Sequence, residues 1–197
     1  DDGCLPGCVK DCSERAKKVY VVTEQKVLLR FDVEALQLAK IGTLNCPSSG
    51  TPFSMGIDRD ANAWVLYQDS KLYKVSTLDA KCQTTTFQVP NSNFQFFGMG
   101  FSSDVPGGSD ETLFVGGNSD WVYTYSPANL GRISFPDLKL TSIAKVSLAG
   151  GPELTGTGDA ELWGFFPYSS KVGRIDKGSG QVSQIMNIPI DMSNVQA

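Results

Sequence analysis

The feature that most constrains the fold of this chain is an internal repeat. A pattern of one basic residue, one apolar residue and then Asp or Ser recurs four times in the 197 residues. The apolar members are Phe31, Val75, Ile133 and Ile175, which lie 44, 58 and 42 residues apart. A period of about 20 to 50 residues indicates an array of similar units. The longest interval contains residues 102–110, whose loop composition we interpret as an insertion in the third unit.

Each unit contains several short strand-like segments. In the second unit, β-branched and aromatic runs alternate with Asp, Asn, Ser and Gly, as is typical of strands joined by tight turns. These predicted strands are Ser54–Ile57, Ala63–Tyr67, Lys71–Val75 and Gln83–Val89. Four antiparallel strands in about 44 residues are typical of a propeller blade. A β-sandwich would not explain this period, and no segment keeps a helical period beyond two turns.

We therefore predict an all-β fold, a β-propeller with four recognisable four-stranded blades. The predicted segments are a Cys-bearing leader at 1–16 and blades at about 17–50, 51–93, 94–151 and 152–197. Small residues alternate with larger ones around Met55 and Met99, and again in Thr155–Gly158. Glycines in strands mark close backbone approach, so we assign these segments to the innermost strands.

The first unit begins at its second strand, and the chain stops where another innermost strand is expected. Two interpretations stay open. The last residues can supply the missing strand and close a four-bladed ring. Alternatively, the chain belongs to a ring of five to seven blades that another chain, or a segment missing after Ala197, completes.

Five cysteines, Cys4, Cys8, Cys12, Cys46 and Cys82, favour disulfides. Three of them lie in a polar leader with no apolar periodicity, which predicts an oxidising location: extracellular, periplasmic or cell-surface. Zinc is the less favoured interpretation, because the chain has no histidine to join the Cys-x3-Cys-x3-Cys spacing. The pairing stays open, and the odd count leaves one cysteine over.

The segment Phe53–Leu66, followed by Lys71–Val75, resembles the blades of bacterial NHL-like, SMP-30-like and quinoprotein-like propellers. It is most similar to uncharacterised, lipoprotein-like secreted propellers of soil bacteria, and the similarity covers residues 17–197. The resemblance implies the fold and export. The acidic and Asn residues that hold metal in the hydrolytic SMP-30-like members have no recognisable counterparts here, so the resemblance leaves activity open.

Composition excludes several classes of function. The net charge is −4 with no long basic run, so nucleic acid is not expected as a partner. No stretch approaches the roughly 20 apolar residues that span a bilayer, so no transmembrane segment is predicted. Without histidine, a Ser-His or Cys-His catalytic pair is excluded.

Asp58, Asp60 and Asn62 alternate like the start of a calcium loop. The later positions of such a loop are not matched, which favours a hairpin turn in which these side chains cap the backbone. We therefore predict no cofactor, with Ca²⁺ at these three residues as the alternative.

Two sets of side chains are candidates for ligand contact. Arg30, Lys74, Arg132 and Arg174 recur in phase, and we interpret them as stems lying over apolar surface rather than as an anion-binding ring. Aromatic residues are concentrated at strand ends, where we expect most of them to pack between blades. Those in loops, with the polar residues beside them, form the second set of candidates for ligand contact. Its members are Asn118, Asp120, Trp121, Trp163 and Tyr168.

From these features we predict a non-catalytic binding or scaffold propeller. Its loops on one face, including residues 102–110, recognise a glycan, a peptide or a protein. The alternative is a metal-dependent or carbohydrate-active hydrolase with acidic residues at the channel mouth. The candidates for that role are Asp104, Asp110, Glu111, Asp159 and Glu161.

Overall fold

The computed structural model describes residues 13–90, 92–119 and 126–189. They form four antiparallel sheets, each built from strands that follow one another along the chain. Sheet 1 contains β1 (Val19–Val22), β2 (Val27–Asp32) and β3 (Gln37–Thr43). Sheet 2 contains β4 (Pro52–Ile57), β5 (Asn62–Tyr67), β6 (Leu72–Ser76) and β7 (Cys82–Thr84).

Sheet 3 contains β8 (Phe96–Ser103), β9 (Glu111–Asn118), β10 (Pro127–Ser134) and β11 (Lys139–Ala149). Sheet 4 contains β12 (Glu153–Gly156), β13 (Leu162–Phe166), β14 (Lys171–Ile175) and β15 (Val182–Asn187). Two 3-10 turns, Ser92–Phe94 and Pro167–Ser169, are the helical elements of the described residues. The predicted all-β propeller with four blades is confirmed, and sheet 1 begins at the second strand of its blade.

The first strands of sheets 2, 3 and 4 lie side by side at the centre. A Cβ added at Gly100 would lie 2.5 Å from the carbonyl oxygen of Leu154, and one added at Gly156 would overlap the carbonyl oxygen of Phe101. These glycines therefore let the backbones of β8 and β12 approach more closely than side chains allow. The predicted role of small residues in the innermost strands is confirmed.

The register corrects the alignment of the fourth unit. Gly56 pairs with Trp64, and at the same position of sheet 4 it is Thr155 that pairs with Trp163. The innermost strand is thus 153–156, two residues earlier than Thr155–Gly158. The predicted alignment matched the glycines of the units, whereas the observed strand pairing shows that Trp64 and Trp163 are the equivalent residues. Glu153 consequently lies at the level of Ser54.

The last strand of sheet 2 is shorter than predicted, because it ends at Thr84 rather than at Val89. Thr85 leaves the ladder and donates its hydroxyl hydrogen to the carbonyl of Leu72, 2.5 Å away. Phe87 then turns into the core, where its ring meets Phe97 at a centroid distance of 6.0 Å. Burial of an aromatic ring outweighs a few more ladder bonds at a sheet edge.

Buried apolar side chains fill the spaces between neighbouring sheets. Leu28 of sheet 1 packs with Val65 and Tyr73 of sheet 2, and Leu72 of sheet 2 packs with Met99 of sheet 3. Phe114 of sheet 3 packs with Leu162 of sheet 4. Each sheet thus covers the next.

Cys46 and Cys82 form a disulfide that ties the segment before β4 to β7. Cys4, Cys8 and Cys12 lie outside the described residues. The extra length of the third unit is shared between two connections, 104–110 after β8 and 119–126 after β9, so residues 102–110 account for only part of it.

Candidate functional site

Of the predicted ligand contacts that the structure describes, Asn118 and Tyr168 lie near one segment and Trp163 lies apart from them. A Cβ at Gly151 would lie 3.4 Å from Nδ2 of Asn118, and a Cβ at the neighbouring Gly150 would lie 3.5 Å from Cβ of Tyr168. These two residues therefore approach the same short segment between sheets 3 and 4. Trp163 lies nearer the other end of its sheet, where its indole N–H donates to Glu161 at 3.1 Å. Asp120 and Trp121 lie outside the described residues.

The repeated basic residues each pair with an aromatic residue on the preceding strand. The register places Tyr20 opposite Arg30, Trp64 opposite Lys74, Phe114 opposite Arg132 and Trp163 opposite Arg174. Nζ of Lys74 lies 5.5 Å from the centroid of the Trp64 ring. A basic side chain over an aromatic ring covers apolar surface while its charge meets solvent. The repeat of basic residues is thus a packing motif of the blade.

Arg132 differs from its counterpart in sheet 4. There, Glu161 lies two residues before Trp163, and Arg174 donates to its carboxylate at 2.9 Å. Two residues before Phe114 stands Thr112, which carries no charge. Arg132 is exposed, and within the described part of the chain its guanidinium makes no hydrogen bond or ion pair. Sheet 3, which carries the insertion, therefore exposes the cation of Arg132, whereas in sheet 4 Glu161 neutralises the equivalent Arg174.

Arg132 lies in an open groove of about 610 Å³ between sheets 3 and 4. Phe114 and Arg132 contribute from the middle strands of sheet 3, Thr141 and Ser142 from its outer strand, and Lys177 from the turn after β14. Asp104, the first residue of the 104–110 loop, completes one rim. A site of this volume accommodates a small-molecule ligand, for which pockets of about 300 to 1,000 Å³ are usual.

Lys177 is fixed above this groove by the turn that carries it. Asp176 accepts hydrogen bonds from the Ser179 hydroxyl at 2.7 Å and from the backbone N–H groups of Ser179 and Gly178 at 2.8 and 3.1 Å, and these bonds lower the pKa of its carboxyl. Nζ of Lys177 donates to the carbonyl of Ser103 at 2.8 Å and lies 5.6 Å from the Phe114 centroid. Burial lowers the pKa of Lys177, and Asp104 opposes that shift.

Lys177 also lies 3.4 Å from the hydroxyl oxygen of Ser102, a spacing that suggests a nucleophile with a lysine base. Ser102 is only 1 % exposed, and its hydroxyl donates to the carbonyl of Glu161 at 2.9 Å. A substrate atom cannot reach a hydroxyl buried and bonded in this way. The contact therefore joins sheets 3 and 4 and is not a catalytic pair.

A second polar cluster joins sheets 2 and 3. The backbone N–H of Arg59 donates to Glu111 at 2.8 Å, and the guanidinium of Arg59 lies 3.7 Å from the same carboxylate and donates to the Ser103 hydroxyl. Burial raises the pKa of Glu111 to about 7, against the opposing effect of Arg59. Among the acidic candidates for a hydrolase, Glu111 is thus occupied by a structural contact.

The channel contains an acidic residue that the sequence did not reveal. Ser54, Gly98 and Glu153 occupy equivalent positions of β4, β8 and β12. The carboxylate of Glu153 passes over Gly98, where a Cβ would lie 2.8 Å from its Oε2, and accepts a hydrogen bond from Ser54 at 2.8 Å. Burial raises the pKa of Glu153 to about 7. Aligning the units on Trp64 and Trp163 would have placed Glu153 beside Ser54.

The proposed calcium ligands form a hydrogen-bonded hairpin. Asp58 accepts hydrogen bonds from the backbone and side chain of Asn62 and, at 3.0 Å, from the indole N–H of Trp64, while Asp60 is exposed. In the parts of the chain that the structure describes, no three His, Cys, Asp or Glu side chains converge as metal ligands. Ca²⁺ binding at Asp58, Asp60 and Asn62 stays a prediction.

Four consecutive antiparallel sheets, three of which place their first strands side by side at the centre, define a β-propeller. Solved structures of low sequence identity resemble this chain, among them the Dos1 propeller, with 13 % identity, a TM-score of 0.51 and coverage of 88 % of this chain and 45 % of that one. They include virginiamycin B lyase from Staphylococcus aureus, with 18 % identity, a TM-score of 0.50 and coverage of 94 % of this chain and 58 % of that one.

A gluconolactonase from Xanthomonas campestris is similar at 16 % identity and a TM-score of 0.55, with 87 % of this chain and 59 % of that one covered. The chain therefore spans less than two thirds of the length of these neighbours. Their low identity shows the fold alone. No family model matches the sequence, and no curated protein resembles it significantly. Within the described segments, no helix is long and apolar enough to cross a membrane.

Proposed function

We propose that this propeller is a secreted, non-catalytic binding protein whose ligand occupies the groove between sheets 3 and 4. The observation that carries the proposal is the exposed guanidinium of Arg132, for which Thr112 provides no counter-charge where Glu161 neutralises Arg174. The ligand is a glycan, a peptide or a protein segment with an anionic group. The Cys46–Cys82 disulfide supports an oxidising location, extracellular, periplasmic or cell-surface.

The groove has the features of a prepared binding surface. Its strands belong to packed sheets, and the 176–180 turn is fastened to sheet 3 by the Ser147 N–H, which donates to the carbonyl of Gly180 at 2.9 Å. A rigid surface loses little conformational entropy when a ligand binds. Asn118 and Tyr168, with Asp120 and Trp121, stay predicted contacts for an extended ligand.

Binding of a panel tests this function. Calorimetric or biolayer titrations compare carboxylated glycans, neutral glycans and acidic peptides. We expect at least one anionic ligand to bind, and Arg132→Gln to weaken it about tenfold or more, because a charged hydrogen bond is worth about 1.5 to 3 kcal/mol. Arg30→Gln is the matched control, because it removes an exposed cation at the equivalent position of sheet 1. Equal loss in both variants would contradict a site in the groove.

Glu153 supports a second candidate, a hydrolase that works in the channel. A carboxyl group with a pKa of about 7 can donate or accept a proton near neutral pH. The similar gluconolactonase makes lactones the first substrates to assay, with and without divalent metal. Activity that Glu153→Gln abolishes and the exposed-site control Glu34→Gln preserves would favour this alternative.

A further inference from the structure

We propose that the groove binds an acidic sugar, that is, a carbohydrate unit carrying a carboxylate. The inference rests on the proposed function and specifies its ligand. Arg132 supplies a planar fork of N–H donors that suits a carboxylate, and Thr112 leaves that fork without an internal partner. Lys177, whose Nζ lies 5.6 Å from the centroid of the Phe114 ring, adds a second positive charge to the same groove.

The Asp104 carboxylate favours a sugar over an acidic peptide as the ligand of the groove. Its carboxylate lines the same groove and accepts a hydrogen bond from the Thr112 hydroxyl at 2.7 Å. Sugar hydroxyls can donate to the remaining acceptor sites of this carboxylate. A peptide of several Asp or Glu residues has no side-chain hydroxyls to donate to this carboxylate, so its own carboxylates would lie beside Asp104 without that compensation.

The other groove side chains also fit a hydroxyl-rich ligand. The exposed Thr141 and Ser142 add hydroxyls that both donate and accept hydrogen bonds. Phe114 is only 6 % exposed and lies beneath Lys177, so ring stacking contributes little. Polar contacts and one carboxylate therefore determine the specificity, and increasing salt should weaken the binding.

The test compares oligogalacturonate with the matching neutral galactose oligomer and an acidic peptide of equal charge. We expect oligogalacturonate to bind at least tenfold more tightly than either. Thr112→Glu should weaken it at least tenfold, because the new carboxylate would pair with Arg132 as Glu161 pairs with Arg174. Asp104→Asn should weaken oligogalacturonate and strengthen the peptide, a reversal that general damage to the fold would not produce. Arg30→Gln is the control, and thermal melting establishes that each variant is folded.

The failures of the two proposals are distinguishable. Binding of the peptide or the neutral oligomer that depends on Arg132, with oligogalacturonate no tighter, would overturn the acidic sugar and keep the groove. If Arg132→Gln changes no titration in the panel, both proposals fail.

Discussion

At the scale of single residues, the innermost strands illustrate how one position acquires three different roles. Ser54, Gly98 and Glu153 lie at the same level of neighbouring strands. Gly98 leaves the space through which the Glu153 carboxylate reaches Ser54, and the Ser54 oxygen accepts a hydrogen bond from the backbone N–H of Met99 at 3.2 Å. The three residues are therefore interdependent, although each is ordinary in its own strand.

We expect Glu153 to make stability fall as pH rises from about 4.5 to 7. Its pKa is 4.5 in the unfolded reference and about 7 in the folded protein, so the folded state binds the proton more tightly. Below pH 4.5 both states are protonated, and above 7 the buried charge costs at most about 3 kcal/mol. Urea titrations at pH 5 and pH 8 measure the unfolding free energy. Its change between the two pH values should be smaller for Glu153→Gln than for wild type. A variant with the wild-type pH dependence would contradict the assignment, and Glu34→Gln is the control.

At the scale of elements, the central strands require small residues where they approach each other. The β12 strand ends at Gly156, which faces the backbone of Phe101 and Ser102 on β8. Gly158, two residues later in the turn, has no atom within 4 Å of an added Cβ. Gly156 is thus required for the close approach of two backbones, whereas Gly158 has room for a side chain.

Gly156→Ala should destabilise the protein by about 3 kcal/mol or more, because the methyl group must push apart two backbones rather than displace a side chain. Gly158→Ala should stay within about 0.5 kcal/mol of wild type or gain slightly. Denaturant midpoints for the pair measure the difference. Similar midpoints would show that β8 and β12 are not packed as closely as described.

At the scale of the whole molecule, the sheets are joined by buried side chains and by polar contacts between neighbours, and the described residues also include a disulfide. Cys46 and Cys82 close a loop across sheet 2 with a sequence separation of 36. Arg59 and Glu111 join sheets 2 and 3, and Lys177 joins sheets 3 and 4. The stability of each blade therefore depends on its contacts with the neighbouring blade.

Replacing both cysteines, Cys46→Ser with Cys82→Ser, should lower the unfolding free energy by about 3 to 4 kcal/mol, because the unfolded chain gains the freedom of the opened loop. Reduction of the wild type with dithiothreitol should give the same loss, measured by guanidinium titration. Wild type and double variant should then have equal stability under reducing conditions. A remaining difference would show that the substitutions act through packing instead.

Arg59→Gln should cost on the order of 2 kcal/mol at pH 8 and less at pH 5. The pKa of Glu111 is about 7, so this carboxyl is charged at pH 8 and needs the cation, whereas at pH 5 it is largely neutral. Urea titrations at both pH values measure this. Lys17→Gln, which opens an exposed pair with Glu14, should change stability by less than about 0.5 kcal/mol. An equal loss at both pH values would contradict a charge-based role for Arg59.

The repeat and the turn residues predicted the propeller because strand periodicity and turn chemistry are local in sequence. The same local information aligned the fourth unit two residues late and extended β7 to Val89, since close packing of β8 on β12 and burial of Phe87 depend on other sheets. For the same reason the sequence did not predict that Trp163 lies apart from Asn118 and Tyr168 in the folded protein.

The sequence alone determined the repeated strand pattern and the central glycines, and these 197 residues contain no histidine that could serve as an imidazole base. Only the tertiary structure decided that Arg132 is exposed and makes no ion pair with another described residue while Arg174 is paired, and that Glu153 meets Ser54. The physical reason is that the sequence specifies the type of each side chain, whereas the charges around it depend on neighbours that folding brings from other strands and blades.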